Sequence, residues 1–237
     1  MVVVVAVGAD PSSPKLRLGD RSIPVKVVGF DPVSRLGFIS VESGPTPKMI
    51  EWVDDAKTSS NANLQALEAS GPVPCHTTGW VKQVGGKVLP FALLQVTFTR
   101  SVPTPGTPLI DPSGRVVGIV FQSSGGGNTG YAIPAEAVHR VRQDICNSGS
   151  LTRGWLGLAL RAESQLPQIS RILPGSPAAA AGLKPTDMLT SIGSRQIADY
   201  ADAANAFFYL IPGQPVRVKL LRNAEPLEFT LTPARPE

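Results

Sequence analysis

A chain of 237 residues can hold one large domain or two modest ones, each able to bury a core of its own. With 42% hydrophobic and 17% charged residues and no long like-charge block, the composition excludes a disordered chain, while 23 Gly and 23 Pro between short Val/Ile/Leu runs favour a mostly β architecture. The net charge of +4 comes from scattered Lys and Arg without interleaved aromatics, so nucleic acid is a disfavoured partner.

"MVVVVAVG" is too short to span a bilayer and lacks the basic start and cleavage site of a signal peptide, so it reads as a strand over 2–7. "IPVKVVGFD" (23–31) and "LGFISVE" (36–42) follow as strands, separated by the turn chemistry of "GADPSSPK" and "DPVSR". From Gly44 to Gly71 the pattern loosens; "SSNANLQALEAS" has helical spacing at best and reads as a connecting segment. Strands resume at "GWVKQV" (79–84), "FALLQVTF" (91–98), "PLID" (108–111), "RVVGIVFQ" (115–122) and "GYAIP" (130–134).

A helix is expected from Pro134, with Ala137, Val138, Val141 and Ile145 on one face, and then a short linker, "NSGSLTRG". Beyond it the pattern is that of a compact mixed domain. Strands are expected at 155–161 and 169–174, a short helix at 176–183, strands around a turn at 187–197, and a helix over 199–211 with an acidic cap. A hairpin around Asn223 closes the chain. Cys75 and Cys146 have no metal-ligand spacing, and both a disulfide and two free thiols stay open. Neither a metal nor a cofactor is expected.

Three stretches, "RGWLGLAL", "ILPGSPAAAAGLKPTDMLTSIGSRQI" and "YADAANAFFYLIPGQPVRVKLLRN", cover nearly all of 153–237 and resemble the PDZ domain attached to bacterial HtrA (high-temperature-requirement A) serine proteases. One departure is Thr186, where a glycine commonly precedes the aspartate. Upstream, "GYAIPAEAVHRVRQDICNSGSLTRGWLG" resembles the junction between barrel, helix and PDZ domain in that family. "IPVKVVGFDPVSRLGFISVE" resembles the segment around the catalytic aspartate, and "LLQVTFTRSVPTPGTPLIDPSGRVVGI" the nucleophile loop. The resemblance implies a trypsin-like double β-barrel with a shortened first barrel over 1–148, a linker at 149–153 and an α+β PDZ domain over 154–237. It also implies a periplasmic or otherwise exported protein whose signal peptide, first strands and catalytic histidine precede residue 1. Homo-oligomerisation, common in the family, stays open.

A serine protease needs a hydroxyl nucleophile, an imidazole base, a carboxylate and two N–H donors for the oxyanion. By register the nucleophile position holds Pro105 and the carboxylate position Arg35, while Asp31 matches the structural aspartate of a "DP" turn. The oxyanion donors are the backbone N–H groups at 103 and 105, and both positions are proline, which has none. His76 and His139 are the only histidines and match no catalytic position. The resemblance therefore implies a pseudoprotease; an active endopeptidase with displaced catalytic residues is the alternative.

The peptide site implied by the resemblance is intact. PDZ domains add an extended chain, usually a C-terminus, to a sheet edge and hold its carboxylate on consecutive backbone N–H groups. Here the loop is Trp155-Leu156-Gly157-Leu158, with Arg153 before it as an added positive charge. Ala203, Phe207 and Leu210, at helical spacing, are expected to line the opposite wall. Polypeptides or protein C-termini are the expected partners. Gly157→Val is expected to misaim the donors without unfolding the domain.

Overall fold

The computed structural model describes residues 2–5, 15–18, 20–41, 50–53, 61–161 and 165–236. The end of the expected first strand at 6–7, the turn at 8–14, Glu42 and most of 44–60 lie outside the described residues. The chain divides into two compact units, 1–81 with 93–151, and 82–92 with 152–237.

In the first unit, β1 (Val2–Val5) precedes a small hairpin, β2 (Leu16–Leu18) and β3 (Arg21–Ile23), and then β4 (Val25–Asp31) and β5 (Leu36–Val41). Among the described residues the first barrel is reduced to a three-stranded antiparallel sheet in the order β1-β5-β4. Leu36, Phe38 and Ile39 of β5 are buried, as befits its central strand.

The second half closes. β6 (Asn63–Glu68), β7 (Gly71–Val84), β8 (Lys87–Phe98), β9 (Pro108–Ile110), β10 (Val116–Ser123) and β11 (Thr129–Pro134) form a barrel in the order β10-β11-β8-β7-β6-β9. Its core gathers Leu64, Val73, Leu94, Val96, Phe98, Leu109, Val117 and Val120. The segment read as a connection is thus a strand. Leu64 and Ala66 are buried while Asn63 and Gln65 are exposed, a period of two that marks one face of a sheet. β7 also begins well before Gly79, because Pro72 and Pro74 occupy exposed ladder positions opposite Leu67 and Gln65.

Helix α1 (Ala135–Ser148) starts after Pro134 and ends at Gly149, whose φ of 73° forms a left-handed cap with its N–H on the Ile145 carbonyl. Gly29 of β4 lets α1 approach closely, since a Cβ there would stand 2.5 Å from Ile145 Cγ2.

The second unit contains β12 (Leu158–Leu160), β13 (Ile169–Ile172), α2 (Pro177–Ala180), β14 (Met188–Ile192), β15 (Arg195–Gln196), α3 (Tyr200–Phe208), β16 (Val216–Arg222) and β17 (Glu225–Leu231). Its sheets are β12-β13 and β15-β14-β16-β17, over a core that includes Leu156, Ile169, Leu189, Ala203, Val218 and Leu220. Local chemistry sets the element ends. Ser176 caps α2 ahead of Pro177, and the Asp199 carboxylate caps α3 by accepting from Asp202 N at 2.7 Å. Asn223 and Ala224, at φ 52° and 67°, make the two-residue turn between β16 and β17.

Strands β7 and β8 are joined by another two-residue turn, Gly85-Gly86, with φ 57° and 76°. The tip of this hairpin, residues 82–92, belongs to the second unit.

Thr186 is where the chain departs from the glycine of the PDZ pattern, and its φ is +76°. A β-branched residue is strained in that region by roughly 1–2 kcal/mol, part of which glycine's greater unfolded-state freedom offsets. Thr186→Gly is therefore expected to stabilise the second unit by about 0.5–1 kcal/mol, seen as a rise in its urea midpoint. A midpoint that stays put or falls contradicts the strain.

Candidate functional site

Two loops carry the chemistry suggested by the sequence. The first is the 101–107 loop of the barrel. Thr107 N–H donates to the Thr104 carbonyl at 3.2 Å around Pro105-Gly106, and Gly106 has φ +94°. Proline at the second position and glycine with positive φ at the third are the requirements of a type II turn. Gly106 N–H is held by the Val120 carbonyl at 2.8 Å, and the Thr107 hydroxyl donates to the Thr104 carbonyl at 2.8 Å. Pro103 is buried and Pro105 exposed, and neither has an N–H to offer.

Arg35 is exposed, with φ +61°, in the turn after β4. That turn is built by Asp31, 4% exposed, whose carboxylate accepts from Ser34 N at 2.8 Å. Asp31 thus has the structural role expected of it. His76 stands on β7 opposite Asn63. His139 lies on α1 with its ring edge-on to Trp52, the centroids 5.7 Å apart. Among the described residues no hydrogen bond joins either histidine to the 101–107 loop. Cys75 and Cys146 are both free; burial pushes the Cys75 thiol up to about 11, against a weaker opposing effect of its backbone bond with Ala66.

The second loop is Trp155-Leu156-Gly157-Leu158. Its carbonyls are tied inward. Leu156 O accepts from Ala178 N at 2.9 Å, and Gly157 O accepts from Leu173 N at 2.8 Å and from the Ser176 hydroxyl at 3.3 Å. Trp155 exchanges two bonds with Ala234, which takes up its N–H. Among the described residues no acceptor holds the N–H of Leu156 or Gly157. Leu158 faces Ile172 with the Leu173 N to Gly157 O bond beside it, which makes 158–172 a non-hydrogen-bonded pair. The N–H and C=O of Leu158 therefore turn to the other edge of β12, which is unpaired among the described residues. Gly157 has φ +73°, a left-handed backbone bend of the kind found where successive N–H groups turn toward one anion.

The remaining expected residues divide. Arg153 is exposed, its guanidinium 5.9 Å from the Phe208 ring centroid. Leu156 is buried, and Leu158 and Phe207 are partly buried against the core. Ala203 is fully buried at 0% exposure, and Leu210 is 4% exposed with its carbonyl on Gly154 N, so both serve the core. The half-buried helix positions beside the loop are Ala204 and Phe207, which line a cavity of about 290 Å³ with Arg153, Trp155, Pro90 and Pro236. A larger cleft of about 550 Å³ lies between α2 and the end of β17, also with Trp155 in its wall, but it touches neither α3 nor Arg153.

Sequence reasoning missed three features. Ser176, fully buried, links the loop to α2; its place before a proline signals a helix cap and nothing more. The Asp187 carboxylate is fully buried and takes two bonds from Arg222 and one from Lys184 N, all at 2.8 Å. The hairpin tip is held to α3 by Lys82, which pairs with Asp199 and Asp202. Burial opposes the charge of Lys82, but the two carboxylates outweigh it and lift the ammonium above its ordinary value.

Residues 154–232 match the PDZ domain family model. Along the sequence, the chain is 25% identical over 227 residues to "Probable periplasmic serine endoprotease DegP-like" of Chlamydia trachomatis, covering 87% of this chain and 46% of the relative. It is 26% identical over 239 residues to "Periplasmic pH-dependent serine endoprotease DegQ" of Escherichia coli, covering 92% and 52%. The chain spans about half the length of these curated relatives. Among solved structures, "HtrA-type protease AlgW with decapeptide" superposes with a TM-score of 0.62 at 21% identity, covering 92% of this chain and 73% of that one. The structure of the serine endoprotease from Yersinia pestis gives 0.54 at 18%, with 92% and 77% covered. No helix among the described residues is long and apolar enough to cross a membrane. By sequence the chain is similar to DegP- and DegQ-type serine endoproteases, by fold to HtrA-type proteases, and residues 154–232 match a PDZ domain.

Proposed function

We propose that this protein is an exported, catalytically inactive HtrA homologue that binds polypeptide C-termini through its PDZ domain. The observation that carries the reading is a contrast between two loops. In the barrel loop two donors are missing as prolines, and the next two N–H groups are held by Val120 O and Thr104 O. In the PDZ loop the carbonyls of Trp155, Leu156 and Gly157 are held, while the N–H groups of Leu156 and Gly157 have no acceptor among the described residues and that of Leu158 faces the open edge of β12. The solved structure of the HtrA-type protease AlgW includes a decapeptide, and in this chain the open edge of β12 can take an extended peptide as an added strand.

The chemistry follows from these positions. A peptide C-terminus brings a carboxylate to the N–H groups of Leu156, Gly157 and Leu158, and Arg153 adds charge at the same end. Backbone pairing with β12 makes little demand on sequence, so free-acid peptides are expected to bind at micromolar Kd, roughly −8 kcal/mol. Fluorescence polarisation against matched free-acid and C-terminally amidated peptides tests this. Equal affinity for the two forms excludes a carboxylate site.

The barrel is expected to degrade no casein above a buffer control, and Pro105→Ser alone is expected to restore nothing. The serine would still lack a base, and Pro103 would still deny an oxyanion donor, a loss of about 3–4 kcal/mol of transition-state stabilisation. Turnover that survives further purification and is abolished by a serine-reactive inhibitor would instead establish the active-endopeptidase reading.

A further inference from the structure

The hairpin tip at residues 82–92 meets α3 at three kinds of contact. Lys82 pairs with Asp199 and Asp202, the Asn205 amide donates to the Leu89 carbonyl at 2.6 Å, and the Phe91 ring lies 4.7 Å from that of Phe208. Asp199, Asp202, Asn205 and Phe208 are successive i,i+3 neighbours, a stripe that winds along the helix from its cap. An ion pair, a hydrogen bond and a ring contact together hold the tip whether or not the neighbouring cavity is filled. Between Leu89 and Phe91 sits Pro90, which lines the cavity that Arg153, Trp155 and Phe207 also line. Its ring has no donor, and its fixed φ leaves the backbone little room to yield.

At about 290 Å³ the cavity stands at the lower end of ligand sites, which run from roughly 300 to 1,000 Å³, and it suits one side chain rather than several. We infer that the hairpin tip is the specificity-determining wall of the peptide site: Pro90 closes the cavity beside Arg153 and Trp155 and confines the ligand's last side chain to a compact aliphatic one. The inference rests on the peptide-site reading above and assigns that site its selectivity. A domain cut out at residue 152 would lack this wall, because residues 82–92 reach it from an earlier part of the chain.

The test uses the full chain and two free-acid peptides that differ only in a terminal Val or Phe, read by fluorescence polarisation. The parent is expected to favour Val by about tenfold, the scale on which a hydrophobic pocket discriminates size. Pro90→Ala is expected to bring the two affinities within about threefold by strengthening the Phe peptide. Lys82→Ala, which loosens the tip without touching the cavity wall, is expected to shift the ratio in the same direction. A Val-to-Phe ratio unchanged in both variants, with binding intact, overturns the inference and leaves the peptide site standing. Failure of the parent to bind any free-acid peptide overturns both.

Discussion

Gly157→Val is expected to unfold the second unit, not merely to weaken peptide binding. A Cβ at residue 157 would stand 2.0 Å from Ser176 Cβ, 2.7 Å from its Oγ and 3.0 Å from the edge of Trp155. Ser176 cannot withdraw easily, being fully buried and bonded both to the Gly157 carbonyl and to Ala179 N. The backbone adds its own penalty, since φ is +73° and an L-residue there costs about 1–2 kcal/mol. Overpacking adds roughly 1–3 kcal/mol, so even Gly157→Ala is expected to lose about 3 kcal/mol, and valine's second γ-carbon makes the loss larger. Against a total of roughly 5–15 kcal/mol for a typical domain, that decides whether the unit folds. Urea unfolding followed by circular dichroism is the measurement; a Gly157→Val midpoint equal to the parent's would show that the loop yields. This outcome replaces the expectation from sequence that valine would misaim the donors in an otherwise intact domain. Amidated peptides, not Gly157 variants, are the clean probe of the carboxylate site.

What the sequence revealed and what it hid follow the range of the interactions. In the second unit the signals are local. Ser176-Pro177, Asp199 and Asn223 stand where a cap or turn requires them, and the elements begin or turn there. In the barrel, β6 and the start of β7 were obscured for physical reasons. Two buried residues, Leu64 and Ala66, are too few to establish a period of two, and prolines at 72 and 74 argue against a strand unless they fall on its exposed positions, as these do. Helical spacing grouped Ala203, Phe207 and Leu210 on one wall, but α3 ends at Phe208, and Ala203 and Leu210 are both buried in the core. The close approach at Gly157 and the docking of residues 82–92 on α3 join positions far apart in the chain, about which local pattern is silent. The reading of Arg35, Pro103 and Pro105 as replacements in a protease site rests on residue identity alone, which sequence displays in full: no fold gives proline an N–H.

Asp187→Ala is expected to destabilise the second unit by about 3 kcal/mol at neutral pH, at the lower end of what breaking a buried ion pair costs. The carboxylate is wholly enclosed, while the Arg222 side chain keeps 23% of its surface and can turn toward water once its partner is gone. Asp187→Asn keeps an acceptor for Lys184 N and should lose less. Burial works against the charge of Asp187, but the two Arg222 bonds, the Lys184 N–H and the nearby cations outweigh it and hold the carboxyl below its ordinary 3.8. A depressed carboxyl stabilises the folded state fully above that ordinary value and ceases to do so as pH falls through the folded one. The parent should therefore lose stability on acidification below about pH 4, whereas Asp187→Asn should already be weakened at pH 7 and lose less on the same descent. Burial works against the charge of Asp111 too, but its bonds from Arg115 and the Ser113 N–H together outweigh it and hold it low; it is unchanged in the variant, so the parent-minus-variant difference isolates Asp187. Urea midpoints at pH 7 and pH 3 supply that difference. If parent and Asp187→Asn unfold at the same midpoint at pH 7, or their difference fails to narrow at pH 3, the buried pair is not what holds the turn before β14 to β16.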